Sequence, residues 1–385
     1  ESIKVAEVLR SMGHSVVWFA GRLDQEFTPG VVEEAAYFDA PLNRGINQQI
    51  FGQTSCAPAV LEKIEQQVEM LMRQLARFVA DHQVDALMAQ NALAIPMHVP
   101  LGVAIARFAS ESQLPVIAHH HDFGWERERF WPNPIGILLD EAFPPKGPHI
   151  SHVVINSIAQ QDLLNRTGIE SFLLPNVMDF ANPPEPGRAA EFKEAAGLGP
   201  NDVVLLQPTR MVPRKGIAET LELARRLGDS AIKVVVTQPE PDEGEAHIQE
   251  LFRTADTMDV DFRVVPVGTG SEVSLSAAYA AADLVAYPSR IEGFGNALLE
   301  ALYYRRPLLV NRYPVYAADI GPCGIEAIEM NGQITDDVVN SVAGWLSDPD
   351  RWALAVDRNY EIGRINFSYG VAAQVLEDAI AAIAR

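Results

Sequence analysis

Short apolar runs rich in β-branched residues alternate with longer stretches of helical period along almost the whole chain. In the first half the runs 15–20, 84–89, 115–119, 152–156 and 172–174 predict strands. The stretch 57–81 is the clearest helix, with Val60, Ile64, Val68, Leu71, Leu75 and Phe78 at spacings of three and four. Shorter helical patterns cover 99–111 and 159–167. Alternation of this kind predicts a parallel sheet covered on both faces.

The pattern pauses at 179–187, DFANPPEPG, which has three prolines, one glycine and no periodicity, and reads as a linker. It restarts with strands at 203–207, 232–237, 262–267, 284–287 and 308–311. Helices at 217–227, 245–258, 275–282 and 296–304 lie between them, and 350–385 is helical with no strand after it. The expected organisation is an α/β chain of two Rossmann-like domains. These are 1–178 and 188–350, joined by the linker 179–187 and followed by a helical segment, 351–385. Open parallel sheets bind ligands beyond the carboxyl ends of their strands. Two of them facing each other would place those ends around one cleft.

Composition narrows the partners. The chain has 385 residues, 48% hydrophobic and 21% charged, enough for two sizeable cores. With 51 Asp+Glu against 30 Lys+Arg the net charge is −21. That field repels polyanions and argues against a nucleic-acid partner. No run of about 18 apolar residues predicts a membrane span, and no signal peptide is visible, so a cytoplasmic protein is expected. Cys56 and Cys323 lie far apart and read as buried thiols. The chain opens at Glu1, inside a helical pattern.

Four stretches carry candidate chemistry, each following a predicted strand. The first is 287–301, YPSRIEGFGNALLEA. Gly293 and Gly295 permit a tight turn and close backbone approach to a ligand. Helix-opening N–H groups, with Asn296 as a possible cap, suit sugar hydroxyls or phosphate. Glu292 and Glu300 flank them, although an ordinary βα turn with two solvated glutamates fits the same spacing. The second is 207–216, QPTRMVPRKG, where Arg210, Arg214 and Lys215 gather three cations within six residues. In so acidic a chain they suggest a phosphate site, with a solvated basic turn as the plain alternative.

The third is 119–129, HHHDFGWERER. Strand alternation puts His119 and His121 on one face and His120 on the other, which disfavours a three-histidine metal site. His121 and Asp122 suit hydrogen bonding to a polyol. Trp125 fits either a sugar-stacking ring or a core residue. The fourth, 89–100, AQNALAIPMHVP, places Asn91 and His98 at the same rim.

At Arg210, Lys215 and EGFGNALLE the chain resembles the retaining GT-B glycosyltransferases of glycosyltransferase family 4, the group 1 glycosyltransferases. Those enzymes carry E-x(7)-E after a strand of the C-terminal domain, here Glu292 to Glu300, and an Arg and a Lys five residues apart after its first strand. The resemblance extends to VAEVL at 5–9, GHSV at 13–16, Pro175-Asn176-Val177 and the C-terminal helix, which in this fold crosses back to the N-terminal domain. The family's first strand and glycine-rich loop either precede Glu1 or are absent. The hinge reads Asn176-Val177-Met178-Asp179 rather than N-G-V-D.

The resemblance implies a set of roles. Arg210 and Lys215 hold the diphosphate of a nucleotide-sugar donor, a GDP- or UDP-hexose. Glu300 binds its ribose. Glu292, with Gly293, Phe294, Gly295 and Asn296, holds the sugar. His121 and Asp122 lie near the reacting centre, while Asn91 and its neighbours face the acceptor. His98 and Trp125, from their own stretches, are further acceptor candidates, and an anionic acceptor would need cations at that rim, for which Arg127 and Arg129 are candidates. The resemblance implies hexose transfer from a GDP-mannose or UDP-glucose type donor, with no tightly bound cofactor and no obligatory metal. The acidic surface favours a small soluble acceptor such as a sugar acid or polyol. The stretches YPSRIEGFGNALLEAL and HHHDFGWERERF are similar to compatible-solute synthases of the mannosylglucosylglycerate kind. A phosphorylase or nucleotide-sugar epimerase on the same fold, or a non-catalytic two-domain binder, remain the alternatives.

Overall fold

Parallel β-sheets flanked by helices organise both halves of the chain in a computed structural model that describes residues 1–383, except 25, 26, 184, 186, 239–244, 269, 270 and 272. Positions 184 and 186 of the expected linker and 384–385 of the C-terminal segment therefore lie outside the described residues. The chain divides into two units. One is Glu1–Pro175 with Gly370–Arg385, the other Asn176–Tyr369.

The first unit holds a four-stranded parallel sheet in the order Leu87–Gln90, Val116–His120, Ile150–Val154, Phe172–Leu173. Every residue of Val116–His120 is buried, as expected of a strand covered on both faces. Helix Pro58–His82 starts on a proline at its first turn and stops at Gln83, in left-handed conformation. Its six periodic apolar residues are all buried, five of them (Val60, Ile64, Val68, Leu71 and Leu75) in a core shared with Val103 and Ala104 of helix Val99–Ser112, while Phe78 packs on Phe19. The run expected as a strand at 15–20 forms only Trp18–Ala20. It pairs with Gly30–Val32 in a separate parallel ribbon, because the nearby segment supplies its hydrogen-bond partner.

The second unit holds six parallel strands in the order Ile328–Met330, Leu308–Asn311, Leu284–Tyr287, Val203–Arg210, Ile232–Gln238, Asp261–Val264. The chain starts at Val203–Arg210 and winds outward through Ile232–Gln238 to Asp261–Val264. It then crosses back to Leu284–Tyr287 on the other side. The direction of winding therefore reverses between Val203–Arg210 and Leu284–Tyr287. The carboxyl ends of those two neighbours are where doubly wound sheets open a ligand crevice.

The proline-rich stretch begins inside the second unit. Phe180 is buried under Tyr303 and Tyr360, at ring distances of 5.6 and 5.1 Å, and the Tyr360 hydroxyl donates to its carbonyl at 2.8 Å. Aromatic burial here overrides the local composition. The C-terminal segment is two helices, Pro349–Asn366 and Tyr369–Ile383. They break where the Phe367 carbonyl accepts from the Met178 N–H at 2.9 Å, and the chain rejoins the first unit from Gly370.

Candidate active site

In the second unit the loops after the two central strands meet. Gln207, buried within Val203–Arg210, donates to the Lys215 carbonyl at 2.8 Å and accepts from the Thr220 hydroxyl at 2.6 Å. Gly216 has φ +71°, and a Cβ there would lie 2.6 Å from the Pro288 carbonyl oxygen, so the basic loop presses on the end of the neighbouring strand. The Arg290 N–H donates to the Arg214 carbonyl at 2.9 Å, tying the two loops together.

This packing brings Lys215 Nζ to 2.5 Å from Glu292 Oε1 and Arg214 to 3.6 Å from Glu292 Oε2. The Lys215 and Glu292 side chains are only 11% and 9% exposed, so neither charge is solvated and each depends on its neighbours. Burial pushes the Lys215 ammonium pKa down, the Glu292 carboxylate opposes this, and Arg214 and Arg210 add to the depression. Two cations, Lys215 and Arg214, thus flank one carboxylate beyond the sheet, with Arg210 near enough to act on Lys215. A group with two or more negative charges would complete that balance.

After Glu292 the backbone turns into helix Asn296–Tyr303. The sequence suggested Asn296 as its cap, but Gly295 takes that position and Asn296 is the first helical residue. Asn296 Oδ1 instead accepts from Asn176 at 2.7 Å. The Phe294 carbonyl accepts from the buried Tyr313 hydroxyl at 2.6 Å, fixing the loop from beneath. Glu300 lies one turn into the helix and accepts from the Tyr279 hydroxyl at 2.7 Å.

In the first unit a second set gathers at the ends of Leu87–Gln90 and Val116–His120. Asn91 adopts a left-handed conformation, φ 57°. Its Oδ1 accepts from the His121 N–H at 2.9 Å, and its Nδ2 donates to Asp122 at 2.7 Å. The other Asp122 oxygen takes two N–H groups of Arg127, at 2.6 and 3.1 Å. The Gln90 side-chain oxygen lies 2.9 Å from His119 Nδ1 and 3.3 Å from His121 Nε2.

Two expected acceptor residues are placed differently. His98 spends both ring nitrogens on the fold, one at 2.8 Å from the Ala35 carbonyl, the other capping helix Val99–Ser112 through the Leu101 N–H. Trp125 is stacked on Phe123 at 4.3 Å and has Arg166 over its ring at 5.5 Å, while its indole N–H donates to Asp162. Phe123, Arg166 and Asp162 thus hold the indole, which packs as part of the scaffold. Arg129 is exposed and lies over the Phe130 ring at 4.9 Å. Gln90, Gln207 and Tyr279 were not singled out from the sequence. For Gln207 the signal was a polar residue inside an otherwise apolar strand.

The histidines around the first-unit sheet are held neutral. His120 Nε2 lies 2.9 Å from His152 Nδ1, and burial pushes His119 and His120 well below the ordinary range and His152 to about 4. These pKa values are lowered by folding. The stability they contribute is therefore full above the unfolded value of about 6.5 and is lost as pH falls below it. For His152 alone the loss between pH 7 and 5 is on the order of 2 kcal/mol, a few degrees of melting temperature. Differential scanning calorimetry across that window is expected to show the fall, and replacing His152 by glutamine to reduce it while His119 and His120 keep the remainder. A melting temperature that is constant from pH 7 to 5 contradicts buried neutral imidazoles.

Comparison with known proteins is consistent with this geometry. A model of the family described as glycosyl transferases group 1 matches residues 189–355. The mannosylglucosylglycerate synthase of Thermotoga maritima is 29% identical over 403 residues, covering 96% of this chain and 92% of that one. The mannosylglucosylglycerate synthase of Petrotoga mobilis is 30% identical over 366 residues, covering 86% and 83%. Among solved structures, Anabaena HepE in complex with UDP and glucose has a TM-score of 0.68 at 14% identity, over 98% of this chain and 95% of that one. No described helix is long and apolar enough to cross a membrane.

Proposed function

The chain belongs to the glycosyl transferases group 1 family, a glycosyltransferase of GT-B fold, and from that premise we propose that it moves a hexose, with retention, from a nucleotide sugar to a hydroxyl of a small sugar acid. The reading takes a GDP-mannose type donor and a glucosylglycerate type acceptor, in line with the synthase names of the relatives. A UDP-glucose type donor is the alternative that the experiment below separates.

The observation that carries the proposal is the Lys215–Glu292 pair with Arg210 and Arg214, set where the sheet reverses its winding. Departure of the nucleoside diphosphate builds negative charge on its β-phosphate as the sugar becomes oxocarbenium-like. Lys215 and Arg210 stabilise that charge where it grows, more in the transition state than in the ground state. Glu292 holds the hexose while balancing Lys215, helped by the backbone of Gly293, Phe294 and Gly295 and by Asn296. Glu300 takes the ribose hydroxyls. In the first unit the carboxamide of Asn91 fixes the His121–Asp122 backbone, which is assigned to the reacting sugar. Asn91 and the exposed Arg129 are assigned to the acceptor, and His98 and Trp125 to the scaffold behind it.

The test is melting temperature against GDP, UDP, ADP, their sugar conjugates, NAD and inorganic phosphate, followed by turnover. A ligand at 100 times its Kd stabilises by about 2.7 kcal/mol, several degrees here. The expected result is a shift with GDP and GDP-mannose, and release of GDP only when glucosylglycerate is present. A shift with UDP and UDP-glucose instead corrects the donor. A response to phosphate alone, or binding without turnover, replaces the proposal with a phosphorylase or a binding protein.

A further inference from the structure

Tyr279 lies in helix Leu275–Ala281 and is fully buried. Its hydroxyl donates to Glu300 Oε2 at 2.7 Å and lies 3.3 Å from the Ala297 carbonyl. Tyr304 stacks on its ring at 4.7 Å and 14°, which fixes the direction in which the hydroxyl points. A buried hydroxyl is costly unless it is bonded, and a phenylalanine would fill the same space without that cost. The shorter of its two contacts is to Glu300, so the oxygen of Tyr279 orients the Glu300 carboxylate, with the Ala297 carbonyl as a longer second partner. A carboxylate offers about four lone-pair positions, so the bond from Tyr279 is compatible with further donors.

We propose that Tyr279 is a positioning residue that aims the Glu300 carboxylate at the ribose of the nucleotide, so that discrimination between ribose and deoxyribose depends on the Tyr279 hydroxyl. This rests on the assignment of Glu300 to the ribose made above. A flexible carboxylate must be ordered each time it binds a diol. One held by a buried, stacked tyrosine has lost that freedom before the nucleotide arrives.

The experiment is calorimetric titration of GDP and UDP, and of their 2′,3′-dideoxy counterparts, into the wild type, Tyr279→Phe, Glu300→Gln and the double variant. Tyr279→Phe is expected to weaken the ribonucleotide by about tenfold, the scale of one hydrogen bond to a charged group, and the dideoxy nucleotide by less than about twofold. In the Glu300→Gln background it has no further effect. Tyr304→Leu, which loosens the ring and keeps the hydroxyl, gives a smaller loss that again depends on ribose. Equal weakening of both nucleotides by Tyr279→Phe marks a merely structural role and overturns the inference, as does an unchanged ribose preference. If Glu300→Gln itself keeps the full ribose preference, the assignment of Glu300 fails as well, which distinguishes the two failures.

Discussion

Lys215→Ala is expected to lower kcat by about 10²–10³ while the protein still folds. Lys215 supplies one of the few charges that a departing diphosphate would meet without water between them, because its side chain is only 11% exposed. Screening is weak there, so the loss falls mainly on the transition state and kcat drops with kcat/KM. The variant is also expected to be less stable. Removing one partner of a buried pair typically costs about 3–5 kcal/mol. Here the cost is moderated because Arg214, 3.6 Å from Glu292, can take over part of the pairing. Steady-state kinetics therefore belong well below the melting temperature of the variant, with circular dichroism on the same sample. Lys215→Arg does not restore activity, since a planar fork cannot replace a compact ammonium on a short reach. A folded Lys215→Ala enzyme within about threefold of the wild-type kcat removes Lys215 from the phosphate assignment.

Where a pattern depends on short-range periodicity, the sequence was a good guide. The strands at 284–287 and 308–311 and the helix at 217–227 are found at the expected bounds, because β-branched runs and threefold-to-fourfold apolar spacing act over a few residues. Strand Ile328–Met330 escaped notice because it is three residues long with exposed Glu329 between its two buried residues, too short to read as a run. Phe180 shows the opposite case. Its proline-rich surroundings read as linker, yet tertiary packing on Tyr303 and Tyr360 decides its place.

The site was legible in its charges and illegible in its supports. Arg210, Lys215, Glu292 and Glu300 stand out as charges just beyond strands, and the fold brings Lys215 and Glu292 into contact across 77 residues of sequence. Gln207 and Tyr279 act through hydrogen bonds to Lys215 and Glu300, and Gln90 through contacts with His119 and His121. A one-dimensional pattern shows at most a polar residue in an apolar run, as at Gln207, and not its partner, which comes from the packing of adjacent strands and helices. The surroundings of His98 and Trp125 were illegible for the same reason. His98 and Trp125 look like rim residues in sequence. Only the fold shows that His98 bonds the Ala35 carbonyl and caps a helix, and that Trp125 stacks on Phe123.

Gly295→Ala is expected to cost about 2–4 kcal/mol of stability and to lower kcat/KM by about 10² or more. Two separate penalties meet at this residue. Its φ is +134°, a conformation that a residue with a Cβ rarely adopts, and a Cβ placed there would lie 2.3 Å from the Tyr313 hydroxyl oxygen. That hydroxyl is committed to the Phe294 carbonyl at 2.6 Å, so it cannot withdraw without breaking the bond that supports the loop from beneath. The strain would pass along the backbone in both directions, to Glu292 three residues before and to the opening turn of helix Asn296–Tyr303, moving the loop proposed to hold the sugar and the helix N–H groups together. Gly228→Ala is the control. Gly228 ends helix Ile217–Leu227 with φ +67°, and a Cβ there would meet nothing within 4 Å, so it carries the conformational penalty alone, about 1 kcal/mol, and leaves kcat/KM unchanged. Tyr313→Phe combined with Gly295→Ala divides the remainder, because deleting the hydroxyl relieves the clash but not the strained φ. Partial recovery of stability with continued loss of activity is the outcome expected of a loop whose shape sets the chemistry. Should Gly295→Ala unfold at the same denaturant concentration as Gly228→Ala and turn over at the wild-type rate, the loop is not the tightly supported cradle described above.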